Sequence, residues 1–266
     1  MSRFPTADKK FGQHFLHSPH VVQAITQDIP ADCDAIIEVG PGPAVLTPKL
    51  TAHGLPVYAF EMDKRFTELL TDVVGSERLF LGDALEVDWT KFLTERGHQK
   101  AWLVSNLPYN VSVPLTLAFM QAPRIARMTL MYQKEVAEKF LPRSGKNTMS
   151  SLAALAGVFF KTSRVVDVPP GAFQPPPKVM SQVIRFDRLP VASVPLADWS
   201  AFEEFLRVVF ANRRKQMKGL LKDRIPENAL LEFFRAHELP EGIRAEAIEL
   251  NHLLALWQLD QRQRMV

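Results

Sequence analysis

From about residue 35 to residue 133, short runs rich in valine, isoleucine and leucine alternate with segments whose apolar residues recur every three or four positions. Continuous apolar runs of this length suit strands buried on both faces, and the intervening spacing suits helices that cover those faces. The predicted strands are Ala35–Val39, Pro56–Met62, Arg78–Ala84, Ala101–Ser105 and Arg127–Gln133, with Lys64–Val73 and Val113–Met120 among the predicted helices. Two further apolar stretches, Ser163–Val168 and Val179–Phe186, flank the proline-rich Pro169–Pro177 and are expected to add a strand pair at one sheet edge across a stiff connection. Beyond Leu189-Pro190 the strand pattern stops, and Trp199–Phe210, Glu227–Glu238 and Arg244–Gln261 carry helical spacing alone. The expected architecture is a doubly wound α/β domain with a mostly parallel sheet over residues 1–190, its first 12 residues a flexible basic arm, followed by a small all-α domain over residues 191–266.

Composition narrows the class. No run of eighteen apolar residues occurs, and Met1-Ser2-Arg3-Phe4-Pro5 lacks the apolar stretch of a signal peptide, so a cytoplasmic protein is expected. Cys33 is the single cysteine, which excludes an internal disulfide and a cysteine-built zinc site. The net charge of +3 is too even to imply a nucleic-acid partner, but its distribution is uneven. Arg207, Arg213, Arg214, Lys215, Lys218, Lys222 and Arg224 are opposed within their segment only by Asp223. Such a stripe suits a phosphate backbone; on charge alone, a solvated helix face reads equally well.

The strand ending at Val39 runs into Gly40-Pro41-Gly42, where glycines let the backbone turn sharply and approach a ligand at the carboxyl edge of the sheet. Glu61 stands twenty-one residues after Gly40 at the end of the next predicted strand, placed to accept both hydroxyls of an adenosine ribose. Asp83, within Gly82-Asp83-Ala84 at the end of the third, is placed to accept from an adenine amino group. Either carboxylate alone would read as a turn or cap residue; three consecutive strand ends facing one crevice point to a nucleoside. A dinucleotide fingerprint wants Gly or Ala at position 45, where this chain has Val45, so a pyrophosphate is disfavoured. S-adenosyl-L-methionine has no phosphate, and its positive sulfonium suits an acidic pocket. The expectation becomes a Rossmann-like, S-adenosylmethionine-dependent methyltransferase fold.

The fourth strand leads into Asn106-Leu107-Pro108-Tyr109. An adenine amino nitrogen is a poor nucleophile because its lone pair is delocalised into the ring, so a catalyst should hold it with acceptors that favour a tetrahedral nitrogen. Asn106 offers a side-chain carbonyl and Leu107 a backbone carbonyl, left free because Pro108 holds the chain extended. Tyr109 offers a flat face for an extruded base. Phe173, in the rigid Ala172-Phe173-Gln174-Pro175-Pro176-Pro177-Lys178, is expected to stack from the other side, although a lone aromatic reads equally well as a buried core residue. No His-Glu-x-x-His or Gly-x-Ser-x-Gly pattern occurs, which leaves metalloenzyme and hydrolase readings without support.

These residues carry a resemblance over nearly the whole chain. Lys10-Phe11-Gly12-Gln13-His14-Phe15-Leu16, Glu38-Val39-Gly40-Pro41-Gly42, Glu61-Met62-Asp63, Gly82-Asp83-Ala84, Asn106-Leu107-Pro108-Tyr109-Asn110, Gln133-Lys134-Glu135-Val136, Phe173-Gln174-Pro175-Pro176-Pro177-Lys178-Val179, Asn212-Arg213-Arg214-Lys215 and Arg244-Ala245-Glu246 together resemble the bacterial KsgA (RsmA) ribosomal RNA adenine dimethyltransferases and their eukaryotic Dim relatives. The resemblance implies that Gln13–Leu16 closes over the cofactor, with His14 and Leu16 touching it. It implies dimethylation of two neighbouring adenosines near the 3′ end of 16S ribosomal RNA, in a pre-assembled small subunit. Arg213, Arg214, Lys215 and Lys218 would then grip that RNA. The chain departs from the bacterial pattern at His14, where Asn is usual, and at Pro43, where Leu is usual. Competing readings are a large-subunit RNA adenine methyltransferase of the antibiotic-resistance type and a non-catalytic ribosome-assembly factor. No membrane or DNA partner is expected, and a monomer is the simplest assembly.

Overall fold

The computed structural model describes Ala7 and residues 13–141, 149–212 and 214–264. The predicted basic arm apart from Ala7, the Lys10-Phe11-Gly12 part of the N-terminal motif, and Arg213 lie outside the described residues. In chain order the elements are β1 (Phe15–Leu16), α1 (Pro19–Thr26), β2 (Ala35–Val39), α2 (Thr47–Thr51), β3 (Val57–Glu61), α3 (Thr67–Val74), β4 (Leu79–Leu81), α4 (Trp89–Glu95), β5 (Ala101–Asn106), α5 (Ser112–Met120), β6 (Ile125–Gln133), α6 (Lys134–Ala137), α7 (Ser151–Phe159), β7 (Phe160–Val168), β8 (Phe173–Gln174), β9 (Ser181–Arg188), α8 (Trp199–Val209), α9 (Met217–Leu221), α10 (Glu227–Ala236) and α11 (Leu250–Arg264).

Two compact units result: Met1–Glu138 with Ser163–Arg188, and Lys139–Thr162 with Leu189–Val266. The first is built on a seven-stranded sheet of order β4-β3-β2-β5-β6-β9-β7. Parallel pairing joins β2 to β3 and β5, β3 to β4, and β5 to β6, whereas β9 runs antiparallel to β6. The apolar runs dictate this layout, since every residue of Ala35–Val39 is buried, as a strand covered on both faces requires. The late apolar stretches do form β7 and β9 at one edge, as their pattern predicts. From β2 the chain winds outward through β3 and β4, then crosses to β5 on the other side of β2. Loops leaving the carboxyl ends of β2 and β5 therefore diverge, and a crevice opens between them. β4 is shorter than predicted because the chain turns at Gly82-Asp83, where Asp83 Oδ1 accepts the Leu85 N–H at 2.9 Å.

The second unit contains no strand among its described residues beyond the start of β7, in keeping with the helical spacing of the C-terminal sequence. Phe202, Phe205 and Leu206 of α8, Leu230 and Phe234 of α10, and Leu253 and Leu256 of α11 form its apolar interior. Asp260 is fully buried there and accepts from Arg224 at 2.8 and 2.6 Å. No helix among the described residues is long and apolar enough to cross a membrane.

Candidate active site

Gly40 and Gly42 have φ of +67° and +52°, a region that residues with a Cβ rarely enter. A Cβ at either position would meet nothing closer than 3.8 Å, so the backbone conformation, not lack of space, requires glycine here. The turn aims backbone donors at the neighbouring strand end. Gly42 N–H donates to Glu61 Oε2 and Asp63 N–H to Glu61 Oε1, both at 2.8 Å. Glu61 is thereby held rigidly at 6% exposure; burial pushes its carboxyl above the usual range, and these two N–H groups oppose the shift. Asp83 spends one oxygen on Leu85 N–H and is half-buried on the same crevice.

The crevice is a cleft of about 290 Å³ at the carboxyl ends of β2, β3, β4 and β5. His14, Leu16, Gly40, Gly42, Glu61, Asp83, Asn106, Leu107, Pro108 and Tyr109 all line it, so the structure brings together every predicted cofactor and catalytic residue except Phe173. Phe173 lies apart from them. Its ring is 2% exposed in the core, because Phe173–Gln174 pairs with Phe15–Leu16 in a two-stranded sheet that turns the side chain inward. It is not among the residues that line the cleft.

The sequence reading overlooked Glu38. It sits in the fully buried β2, lines the cleft, and its Oε2 finds no hydrogen-bond partner among the described residues. Burial, with the Glu61 charge adding, pushes its carboxyl up to about 8. A glutamate inside an otherwise apolar strand is itself the missed signal, because an uncompensated buried carboxyl is costly. An orphaned carboxyl oxygen beside Glu61 fits a cationic ligand, and S-adenosylmethionine carries both a sulfonium and an ammonium group. Glu61 and Asp83 would hold its nucleoside, with Gly40 and Gly42 letting the backbone close against it.

Glu38 also supplies a stability test without ligand. Its carboxyl keeps its proton to about pH 8 in the folded chain but releases it near the ordinary 4.5 when unfolded. Across that window the folded state binds more protons, so stability falls as pH rises, by up to about 1.4 kcal/mol per pH unit. Glu38→Gln is expected to remove this decline and raise the Tm of the cofactor-free protein at pH 8. Parallel melting profiles of the two proteins from pH 5 to 8 would contradict it.

Asn106 closes β5, and its Nδ2 donates to the His14 carbonyl at 3.3 Å. Neither its Oδ1 nor the Leu107 carbonyl accepts a hydrogen bond from the described residues. The Pro108 carbonyl accepts from Val111 N–H at 3.2 Å, which turns the chain into α5. Tyr109 shares a 2.7 Å hydrogen bond between its hydroxyl and Oγ of Ser181, a fully buried residue of β9 that sequence spacing does not connect to the loop.

In the second unit, Arg214, Lys215 and Lys222 are exposed and line a groove with Lys218. Lys218 is ion-paired to Glu227, which tempers its charge. Arg224 leaves the predicted stripe altogether: only 9% exposed, it pairs with Asp260 and with Glu204 at 3.1 Å, because a charge among these helices must be compensated.

A model of the ribosomal RNA adenine dimethylase family matches residues 5–257. A ribosomal RNA small subunit methyltransferase A of Caulobacter vibrioides is 39% identical over 257 residues, 94% of this chain and 96% of the relative. One of the same name from Phenylobacterium zucineum is 38% identical over 256 residues, 94% of this chain and 87% of the relative. Among solved structures, a dimethyladenosine transferase from Plasmodium falciparum superposes with a TM-score of 0.76 at 23% identity, covering 94% of this chain and 98% of that one. The 23S rRNA methyltransferase ErmE superposes with a TM-score of 0.73 at 22% identity, covering 93% and 100%. At such identities the structural likenesses speak for the fold; the family match and the close relatives go further, and this chain belongs to the ribosomal RNA adenine dimethylase family.

Proposed function

We propose that this protein is a small-subunit ribosomal RNA adenine N6,N6-dimethyltransferase, methylating two adjacent adenosines near the 3′ end of that RNA during ribosome assembly in the cytoplasm. The observation that carries the reading is the placement of Asn106-Leu107-Pro108-Tyr109 on the same cleft as Glu38, Glu61 and Asp83. When bound, S-adenosylmethionine supplies a methyl group on a positively charged sulfur. The chain's own residues then do the rest. Asn106 Oδ1 and the Leu107 carbonyl accept the two amino hydrogens of adenine and turn the nitrogen lone pair toward the methyl carbon, and Tyr109 holds the ring by stacking. Glu38, Glu61 and Asp83 would hold that cofactor, while Asn106 Oδ1 and the Leu107 carbonyl face the positive charge that methylation would place on the nitrogen, whose proton would leave to water. Orientation contributes most of the acceleration, so no strong base is required.

The groove of Arg214, Lys215, Lys218 and Lys222 supports a grip on ribosomal RNA phosphates. One experiment tests substrate and grip together: transfer of labelled methyl groups to small subunits lacking the modification, with large subunits and DNA in parallel. Dimethyladenosine confined to the small-subunit RNA is the expected product, and the Arg214→Ala/Lys215→Ala double variant should bind subunits more weakly with a shallower salt dependence. Label in the large subunit would move the assignment to the resistance-type enzymes. Subunit binding without transfer would favour an assembly factor.

A further inference from the structure

One face of Tyr109 is already taken. The imidazole of His14 stacks on it, with ring centroids 5.7 Å apart and planes inclined by 28°. His14 is itself pinned: Nδ1 donates to the Pro175 carbonyl at 2.8 Å, and its own carbonyl accepts from Asn106 at 3.3 Å. Gln13, just before it, donates to Asp63 at 2.8 Å and accepts from Arg65 at 3.0 Å. Asp63 and Arg65 brace each other so firmly that the guanidinium holds the Asp63 carboxyl at about 2. Phe15–Leu16, just after it, pairs with Phe173–Gln174. A base sandwiched between two flat rings needs them about 7 Å apart, twice the closest favourable contact of roughly 3.5 Å. The observed spacing does not admit one.

We propose that His14 gates the adenine pocket, its imidazole occupying the face of Tyr109 that the target base must take. The inference rests on the methyltransferase reading above and adds to it a residue on which entry of the base depends. Because the His14 carbonyl also accepts from Asn106 Nδ2, displacement of His14 uncovers Tyr109 and releases that amide contact in one movement, while Asn106 Oδ1 stays available to the base. Gln13 and β1, anchored on either side, act as the two ends about which that residue swings.

The gate has a kinetic signature opposite to that of a base-binding residue. An aromatic pair of this kind sets a barrier to entry of roughly two- to tenfold in apparent affinity. His14→Ala should therefore lower the apparent KM for small subunits by about that factor, whereas His14→Trp, with a larger stacking ring, should raise it. His14 also lines the cofactor cleft, so the KM for subunits is measured at saturating S-adenosylmethionine, at a concentration set from each variant's calorimetric Kd. A second readout needs no variant: the His14 ring protons of the wild-type protein, shifted by the Tyr109 ring current, should lose that shift when an oligonucleotide matching the 3′ end of small-subunit RNA saturates the protein. An unchanged or increased KM in His14→Ala, or an unchanged ring-current shift at saturation, overturns the gate while wild-type activity stands. A wild-type protein that transfers no methyl group sinks the underlying reading, and the gate with it.

Discussion

Asn106→Ala is expected to reduce the rate of methyl transfer at saturating substrate by about a hundred- to a thousandfold, the size of loss that follows removal of one preorganised group facing developing charge. Adenine's amino lone pair is usable only when the group leaves the ring plane, and Asn106 Oδ1 accepts no hydrogen bond from the described residues that would draw it from this task. Its position comes from the end of β5, a strand buried between β2 and β6, so the carbonyl does not need to be organised when substrate arrives. Alanine leaves the strand intact and removes both the acceptor and the Nδ2 contact to His14. Single-turnover transfer to small subunits, at saturating cofactor, is the measurement; a loss smaller than about tenfold would assign the hold on the amino group to Leu107 alone.

The second large effect is expected at Glu61, and it has two components. Both carboxylate oxygens already accept backbone N–H groups, from Gly42 and Asp63 at 2.8 Å. Glu61→Gln turns one acceptor into a donor facing one of those N–H groups, a mismatch that costs about 1–3 kcal/mol in a site this buried. The same change removes the charge-assisted acceptor for the ribose hydroxyls, so the Kd for S-adenosylmethionine should rise by about a hundredfold. Calorimetry for the cofactor and thermal melting for the free protein separate the two. Cofactor affinity retained in a destabilised variant would leave Glu61 as a brace of the Gly40–Gly42 turn and transfer the ribose contact elsewhere.

Much of this site was legible in the chain because its geometry is set by strand ends. In a parallel sheet each strand delivers its last residues to the same edge, so counting from Gly40 to Glu61 to Asp83 to Asn106 places four groups around one crevice without coordinates. Val45 in place of a third glycine could likewise be read directly, because it concerns how closely a helix approaches a ligand. The doubly wound sheet and the helical C-terminal segment follow from the same kind of evidence, the change from continuous apolar runs to helical spacing near Leu189-Pro190.

What the sequence by itself determined, then, was the repeated local pattern and everything attached to strand termini. Tertiary structure alone decided the contacts between segments far apart in the chain. Phe173 pairs with Leu16 across more than 150 residues. A two-residue strand has no periodicity to reveal that pairing, so an aromatic in a proline-rich loop read as exposed when it is buried. Arg224 counted as part of a basic stripe until Asp260 and Glu204 were found beside it, since a list of charges says nothing about partners. Ser181 reached Tyr109, and His14 covered it, only through the fold. Local preference is written residue by residue, but burial, pairing and the raised pKa of Glu38 depend on which distant groups the folded chain brings to the same place.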